Sequence, residues 1–162
     1  MKVKQSKLTM MMLKAIENNP QAYALIKGNK IEGTVSFFNM FDGTLMVYQI
    51  SGLPTGEKEN HAFFGFHVHE GKTCTNDTAI PYEKTLGHFN PTKQDHPYHI
   101  GDLPPIFASH GTAWAMIFID KFRPSDIIGY TLVIHEHADD FKSQPAGDSG
   151  MKIACGEIKK MN

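Results

Sequence analysis

From residue 22 onward the chain alternates short apolar runs with turn residues, a pattern typical of β-strands. Val, Ile, Thr, Phe and Tyr are frequent in these runs, and Gly, Pro and Asn separate them. The runs are AYALIKG (22–28), KIEGTVSFF (30–38), GTLMVYQI (43–50), HAFFGFHVHE (61–70), WAMIFID (114–120), YTLVIHE (130–136) and MKIACGEIK (151–159). Because no helical pattern separates them, they predict an all-β fold of about eight antiparallel strands, arranged as a sandwich or barrel.

The first 20 residues do not follow the strand pattern and are predicted to be an N-terminal extension. The stretch SKLTMMMLKAIENN favours a short amphipathic helix, which Pro20 would end. Such a helix places four residues on one side: Leu8, Met11, Met12 and Ala15. The sequence thus divides into an extension, residues 1–20, and one domain, residues 21–162.

Composition narrows the class of protein. The chain has 162 residues, of which 41% are hydrophobic and 20% charged, as expected for one folded domain. A formal net charge of -1 gives no overall attraction to nucleic acid or to an anionic membrane, so electrostatic roles depend on local placement. Neither a membrane span nor a signal peptide is evident. We therefore expect a cytoplasmic protein without nucleic-acid or membrane partners, unless a leader was removed.

The hexapeptide GFHVHE, residues 65–70, raises the first chemical question. Successive strand side chains point to opposite faces, so His67 and His69 project together while Phe66 and Val68 face the other way. This arrangement fits the polar face of a half-buried strand, and it fits equally two ligands of a metal site. In TLVIHEHADDF, His135 ends a later strand and adds a third imidazole, a set that suits Cu(II) as well as Zn²⁺.

Residues 71–112 show no strand periodicity and contain a second histidine cluster. A structureless segment of this length is uncommon in a compact domain and is usually functional. Its stretch GHFNPTKQDHPYHIGDLP offers His88, His96, His99 and Asp102. Three imidazoles and one carboxylate suit four-coordinate zinc, and a metal would explain how the segment is ordered. A chance cluster of exposed histidines is the alternative.

Five separated motifs together resemble the copper/zinc superoxide dismutase family. They are GFHVHE, GHFNP, GDLP, VIHEHADD and GMKIACGEI, and they occur in the family's order within residues 22–159. The resemblance implies a Greek-key β-sandwich or flattened barrel with a long metal-binding loop. It also implies conversion of superoxide to dioxygen and hydrogen peroxide by alternate reduction and oxidation of a histidine-bound copper, with a structural zinc as the second cofactor.

The resemblance assigns the metal ligands residue by residue. The implied copper ligands are His67, His69, His88 and His135. The implied zinc ligands are His88, His96, His99 and Asp102, so that His88 bridges both metals. Asp139 falls on a carboxylate that accepts hydrogen bonds from His67 and His96 and so fixes both rings.

Three further positions follow from the resemblance. Cys74 and Cys155 fall on the family's disulfide, although two free thiols are the usual expectation in the cytosol. Lys152 stands where the family usually has an arginine, and there it would draw in and dock the superoxide anion. Lysine keeps the positive charge but lacks the planar bidentate fork of arginine. Lys152 and His88 are thus the implied catalytic residues.

Other interpretations were weighed against the enzyme. A non-enzymatic copper- or zinc-binding module could use the same fold, but all four implied copper positions are histidine. A zinc hydrolase needs a general base beside the metal, and strand alternation directs Glu70 and Glu136 to the opposite face. His137 would share a face with His135, yet the resemblance uses only the first of the two. The family's branches differ in their dimer interface, so a homodimer is one option for the assembly.

Overall fold

The computed structural model describes residues 6–55 and 61–162, and most of the regular structure in these ranges is β-strand. The strands are β1 (Ala22–Gly28), β2 (Glu32–Met40), β3 (Gly43–Ser51), β4 (His61–Phe64), β5 (Phe66–His69), β6 (Ile106–Ser109), β7 (Ala113–Ile119), β8 (Thr131–His135) and β9 (Lys152–Lys160). Helix α1 spans Lys7–Ile16, helix α2 spans Pro124–Ile127, and a 3₁₀ turn covers Glu83–Thr85.

Seven strands form one antiparallel sheet in the order β5-β8-β9-β1-β2-β3-β7, and β4 and β6 form a second, two-stranded sheet. The chain leaves β3 for β4 in the other sheet, whereas the neighbours of β3 are β2 and β7, and β5 pairs with β8. These crossovers are those of a Greek-key arrangement. The predicted all-β antiparallel fold is therefore confirmed.

Two sequence predictions about strand boundaries were wrong. The stretch HAFFGFHVHE is two strands, because the chain breaks at Gly65 and continues in the other sheet. Gly65 lies so close to the segment before β9 that a Cβ would come within 2.7 Å of Ser149 Oγ. Residues 71–112, predicted to lack strands, contain β6, which pairs with β4. Four residues are too few to produce a recognisable periodicity.

The core is formed by the inward faces of the large sheet and by residues of β4 and β6. Phe66 and Val68 of β5 are fully buried in it, as strand alternation predicts. The same alternation directs His67 and His69 to the other face of β5, where loop residues cover them. One face of this short strand thus packs in the core, and the other presents two candidate metal ligands.

Helix α1 packs on the outer face of the sheet. Its first turn is capped by Ser6, whose hydroxyl accepts a hydrogen bond from the N–H of Thr9 at 3.0 Å. Its contact residues are Met12, Ala15 and Ile16, which lie against Phe38, Met40 and Leu45. The predicted face was wrong for Leu8 and Met11, which are 53% and 39% exposed. The division into an extension and a domain stays a prediction.

Two further observations concern the whole chain. Cys74 and Cys155 form a disulfide that ties the long loop after β5 to the middle of β9, which confirms the predicted pairing. Among the helices of the described residues, none has the length and apolar character needed to cross a membrane.

Candidate metal centre

Four imidazoles converge at the end of the large sheet. The candidate ligand atoms of His67, His69, His88 and His135, here called the four-histidine group, all lie within 4.8 Å of one another, and all four residues are buried. His67 and His69 come from β5, and His135 ends β8. The β8–β9 register shifts between Ile134 and His135, and such an irregularity re-aims the side chain that follows it.

Two of these rings are oriented by backbone carbonyls. His69 Nδ1 donates to the carbonyl of Leu86 at 2.9 Å, and His135 Nδ1 donates to that of Gly150 at 3.2 Å. Because a carbonyl can only accept, each neutral ring carries its proton on Nδ1 and a lone pair on Nε2. The two Nε2 atoms lie 3.2 Å apart, so two lone pairs face each other. A cation between them would turn this repulsion into coordination.

His88 reaches the group from the long loop. The N–H of Phe89 donates to the carbonyl of Val68 at 2.8 Å, and the N–H of Glu70 donates to that of Gly87 at 2.9 Å. These bonds hold His88 beside the free edge of β5. The His88 ring stacks on that of His67 with centroids 3.9 Å apart.

A second group shares His88 with the first. The candidate ligand atoms of His88, His96, His99 and Asp102, here called the Asp102 group, also lie within 4.8 Å of one another in buried positions. His88 Nδ1 is 2.7 Å from Asp102 Oδ1, and His99 Nδ1 is 3.3 Å from the same oxygen. His96 Nδ1 is 3.2 Å from Asp102 Oδ2, but without the alignment of a hydrogen bond. Four donor atoms therefore surround one small space.

Asp139 connects the two groups. His67 Nε2 donates to its Oδ2 at 2.8 Å, and His96 Nε2 donates to its Oδ1 at 2.9 Å. The N–H of Phe141 donates to Oδ1 as well, at 2.7 Å. With Nε2 of both rings committed to one carboxylate, Nδ1 of each ring carries the lone pair that points into its group.

The protonation states suit metal binding. Burial lowers the pKa of His67 to about 4 and that of His135 to about 3, and it lowers the pKa of His69 well below the ordinary value. Burial alone would raise the pKa of Asp139, but hydrogen bonds from His67, Phe141 and His96 outweigh it and lower the pKa to about 2. At neutral pH these three imidazoles are neutral and Asp139 is ionised, as ligation requires.

Unpaired nitrogens show that the residues fit metal ions. His67 Nδ1, His88 Nε2 and His96 Nδ1 are buried and lack a hydrogen-bond partner within the described ranges. A buried polar atom without a partner costs about 1–3 kcal/mol, so three in one place need an explanation. Four imidazoles suit Cu(II), and three imidazoles with one carboxylate suit Zn²⁺. The four-histidine group therefore fits copper, and the Asp102 group fits zinc.

Comparison with known proteins agrees with these donor sets. The sequence model described as "Copper/zinc superoxide dismutase (SODC)" matches residues 31–158. The chain belongs to the copper/zinc superoxide dismutase family. It is 30% identical over 160 residues to "Superoxide dismutase [Cu-Zn]" of Deinococcus radiodurans, covering 88% of this chain and 85% of that protein.

Other members of the family give a consistent result. The protein named "Superoxide dismutase [Cu-Zn]" from Actinobacillus pleuropneumoniae is 34% identical over 155 residues, covering 83% of this chain and 75% of that protein. Among solved structures, a double mutant of a SOD-like protein from Bacillus subtilis has a TM-score of 0.70 at 26% identity. That likeness covers 83% of this chain and 94% of the other. The family's sandwich thus extends over most of the sequence.

In this family member, Lys152 is a half-buried cation beside the four-histidine group. Its Nζ donates to Thr85 Oγ1 and to the carbonyl of Leu86, both at 2.8 Å, and to the carbonyl of Tyr82 at 3.5 Å. Three acceptors therefore face the three protons of the ammonium group. The Leu86 carbonyl also orients the ring of His69, so Lys152 and this candidate ligand share one hydrogen-bond acceptor.

The long loop is held more firmly than its sequence indicates. The sequence predicts no strand periodicity in this loop, but backbone bonds join it to β5 at residues 87–89 and at Gly101. Besides the bonds at 87–89, the N–H of Val68 donates to the carbonyl of Gly101 at 2.9 Å. Lys121 Nζ also donates to the carbonyls of His99 and Asp102, at 3.1 and 3.0 Å. The excursion at 90–100 lies between the attachments to β5 at residues 87–89 and at Gly101.

The remaining candidates lie outside both groups. The side chain of His137 is 67% exposed, and its Nε2 is 3.3 Å from Glu136 Oε1. Glu70 is exposed as well, and one of its carboxylate oxygens accepts from the N–H of Asn90 at 3.4 Å. Neither glutamate belongs to a candidate metal group of the described residues.

Several residues that orient the candidate ligands could not be identified from the sequence. The carbonyls of Leu86 and Gly150 orient two rings, and any residue type provides a carbonyl. Gln144 exchanges two hydrogen bonds with the backbone of His96, at 3.0 and 2.8 Å. Gly147 carries the one weak signal, because its φ of 67° favours glycine and a Cβ there would lie 2.1 Å from Asp139 Oδ1.

Proposed function

We propose that this chain is a superoxide dismutase that converts superoxide to dioxygen and hydrogen peroxide. Copper is bound by His67, His69, His88 and His135, and zinc is bound by His88, His96, His99 and Asp102. The shared position of His88 is the single observation that carries the proposal. Its Nε2 is unpaired and belongs to the four-histidine group, while its Nδ1 lies 2.7 Å from Asp102 Oδ1.

When bound, copper supplies the electron chemistry by alternating between Cu(II) and Cu(I). The chain's own residues supply position and protons. Asp139 holds the rings of His67 and His96, and the carbonyls of Leu86 and Gly150 hold two more. His88 Nε2, which no group of the described residues engages, is the atom at which the protein holds and delivers a proton, since His88 Nδ1 stays directed toward Asp102.

Lys152 supplies positive charge for an anionic substrate. Its charge contributes, after burial and the neighbouring histidines, to the lowered pKa values of His69 and His135, so its field reaches both rings. Three protein acceptors already face the ammonium group of Lys152. We therefore propose that Lys152 attracts superoxide through its electric field. Docking by a direct hydrogen bond would require one of those contacts to exchange.

The experiment that tests the function combines metal analysis with a dismutation assay on protein loaded with copper and zinc. Wild type should bind about one equivalent of each metal and dismutate superoxide. His69→Ala should lose copper and activity while keeping its fold. His137→Ala is the matched control, because this neighbouring histidine is exposed, and it should behave as wild type.

Two outcomes would contradict the proposal. Undiminished turnover in copper-loaded His69→Ala would exclude the four-histidine group as the reaction centre. Stoichiometric binding of both metals without dismutation in wild type would favour a non-enzymatic metal-binding module.

The contribution of Lys152 is tested by rate against ionic strength. Lys152→Glu should slow dismutation strongly, Lys152→Arg should retain it, and Lys152→Gln should weaken the salt dependence. Exposed charges are screened over about 10 Å at 0.1 M salt, so the wild-type rate should fall as salt rises. Equal rates in wild type and Lys152→Glu would remove Lys152 from the reaction.

Compartment and assembly stay predictions. The expectations from sequence are a cytoplasmic location, a homodimer and the absence of nucleic-acid and membrane partners. The Cys74–Cys155 bond is of a kind found mostly in oxidising compartments, although this family's disulfide is also expected in the cytosol.

A further inference from the structure

One exposed surface has no role in the metal centre. It is formed by the outer side of α1 and the adjacent outer side of β7, and we call it the α1–β7 surface. Its residues are Lys7, Met10, Leu13, Lys14, Trp114 and Phe118. Single exposed apolar residues are ordinary, but a contiguous exposed apolar surface on a folded domain marks a contact with a partner or a membrane.

The helix presents this surface because only one of its sides is used for packing. Met12, Ala15 and Ile16 face the sheet. At 3.6 residues per turn, Met10 lies on the opposite side and Leu13 on the adjoining flank, where they are 42% and 39% exposed. Lys7 and Lys14 lie on the side of Met10 too, next to these two apolar residues. A helix that fulfilled only a packing role would have a purely polar outer side.

The outer side of β7 continues the same surface. Trp114, Met116 and Phe118 alternate along the strand and therefore share one face. Met116 packs in the cluster beneath α1, so the helix and these aromatic residues lie on the same side of the sheet. Trp114 is 63% and Phe118 is 40% exposed. The Phe118 ring also meets that of the exposed Phe41, with centroids 5.8 Å apart.

Charge indicates what this surface binds. The chain as a whole has a net charge of -1, yet its N-terminal part is strongly basic. It contains Lys2, Lys4, Lys7 and Lys14, and the first acidic residue is Glu17, the exposed C-cap of α1. Within the described residues, neither Lys7 nor Lys14 forms an ion pair. Unpaired lysines beside exposed apolar side chains complement an anionic, partly apolar surface.

We propose that the α1–β7 surface docks on an anionic membrane surface, which replaces the expectation of no membrane partner that the net charge suggested. Lys7 and Lys14 reach the lipid phosphates, and Met10 and Leu13 enter the boundary between headgroups and acyl chains. Trp114 lies at headgroup depth, where its amphipathic ring is favourable. A second copy of the chain is the less favourable occupant, because a twofold interface would bring the lysines of both copies together.

The proposed docking surface and the metal centre use different residues. None of the candidate ligands lies on α1 or β7. The inference does not depend on the proposed activity, and its test uses no activity measurement.

Trp114 makes the test direct, because it is the chain's only tryptophan. The metal-loaded full chain is titrated with vesicles of phosphatidylcholine alone or of phosphatidylcholine mixed with phosphatidylglycerol. With the anionic vesicles we expect co-sedimentation, a blue shift of tryptophan emission and protection from an aqueous quencher. With neutral vesicles we expect none of these, and high salt should reverse binding to the anionic ones.

Two pairs of variants separate charge from apolar contact. Lys7→Glu with Lys14→Glu should weaken binding by about thirtyfold or more, since each lysine near such a surface contributes about fivefold. The control, Lys30→Glu with Lys93→Glu, changes the same charge at exposed positions elsewhere and should bind as wild type. Met10→Gln with Leu13→Gln keeps the charge and should lose the blue shift, whereas Ile80→Gln with Met151→Gln should not.

Three results would overturn the proposal. The first is an absence of binding of wild type to anionic vesicles. The second is equal binding of wild type and Lys7→Glu with Lys14→Glu. The third is concentration-dependent dimerisation, seen by analytical ultracentrifugation, that Met10→Gln with Leu13→Gln abolishes while vesicle binding is absent. This last result would assign the surface to a second copy of the chain.

Discussion

The four-histidine group and the Asp102 group share His88 but are supported in different ways. Three residues of the first group, His67, His69 and His135, sit on paired strands whose positions are set by the sheet. In the second group, His96 and His99 lie in the excursion at 90–100, which has no strand of its own. Side-chain hydrogen bonds hold the ligands in place there, as backbone pairing does in the sheet.

The difference explains where the polar contacts are concentrated. Asp102 accepts from the backbone N–H of His99 at 2.9 Å as well as contacting three imidazoles. Gln144 holds the backbone of His96, and Lys121 holds the carbonyl of His99. A site on a loop thus needs its own hydrogen-bond network, and the loss of any member of that network weakens metal binding.

Removing Asp102 should affect the two groups most differently. Asp102→Ala deletes one candidate zinc ligand and the acceptor for the N–H of His99. We expect zinc to be lost at stoichiometric loading while copper still binds. Hydrogen exchange should increase mainly at residues 90–100, because backbone bonds to β5 hold the loop on either side. Mass-spectrometric exchange together with metal analysis measures both effects.

Asp95→Ala is the control for that change, because Asp95 is an exposed acidic residue of the same excursion. It should leave zinc content and exchange as in wild type. Unchanged exchange in Asp102→Ala would mean that the polar network and the disulfide order the loop without the metal.

Breaking the disulfide should affect stability more than chemistry. The bond closes a sequence separation of 81 residues, and a closed loop of that size stabilises a fold by about 4.5 kcal/mol in the chain-entropy model. Cys74→Ser with Cys155→Ser should lower the free energy of unfolding by about that amount, and the protein should remain folded at room temperature. Urea titration gives the value.

Chemically reduced wild type serves as the comparison for this double variant and should unfold at the same urea concentration. A thiol assay on denatured, unreduced wild type should find no free thiol. Two titratable thiols would show that the bond is absent from the protein in solution.

The metal-free protein should lose stability as pH falls from about 6.5 toward 3. Burial lowers the pKa of His67 to about 4 and that of His135 to about 3, so the unfolded chain binds protons in this range and the folded chain does not. The stability is complete above the unfolded value near 6.5 and is lost progressively below it. For His67 alone the loss is on the order of 3 kcal/mol, at 1.36 kcal/mol per pKa unit.

Urea midpoints of the metal-free protein between pH 7 and 4 measure this loss. His67→Gln should flatten the curve, because the variant lacks the titrating ring. His137→Gln should not, since His137 is largely exposed. A wild-type curve that is flat over this range would contradict the assignment of His67 and His135 as buried neutral rings.

The last test concerns Asp139, because its carboxylate accepts a hydrogen bond from one ring of each group. Asp139→Ala should weaken both copper and zinc affinity by about 10–100-fold, the effect usually seen when a ligand's hydrogen-bond partner is removed. Competitive chelator titrations report each affinity. Asp140→Ala is the control, because its carboxylate contacts Ser143 and Lys142 and neither group. An effect on zinc alone would show that β5 orients His67 without help.

Much of this protein could be read from its sequence because the relevant interactions are local or periodic. Strand alternation separated Phe66 and Val68 from His67 and His69, and the structure places the first pair in the core. Residue type alone limits the metal chemistry, since few side chains other than histidine and aspartate provide such donors. The disulfide was implied by a resemblance to a family, and no local rule connects Cys74 with Cys155.

Only the tertiary structure decided how these parts meet. The resemblance had implied the shared His88 and the two hydrogen bonds to Asp139, and the tertiary structure brings these residues into contact. The structure alone directed the protons of Lys152 at Tyr82, Thr85 and Leu86. It also split HAFFGFHVHE at Gly65 and turned the helix so that Met10 and Leu13 face outward. The physical reason is common to these cases. Each depends on contacts between segments distant in sequence, and the backbone carbonyls and loop positions that make such contacts leave little trace in residue type.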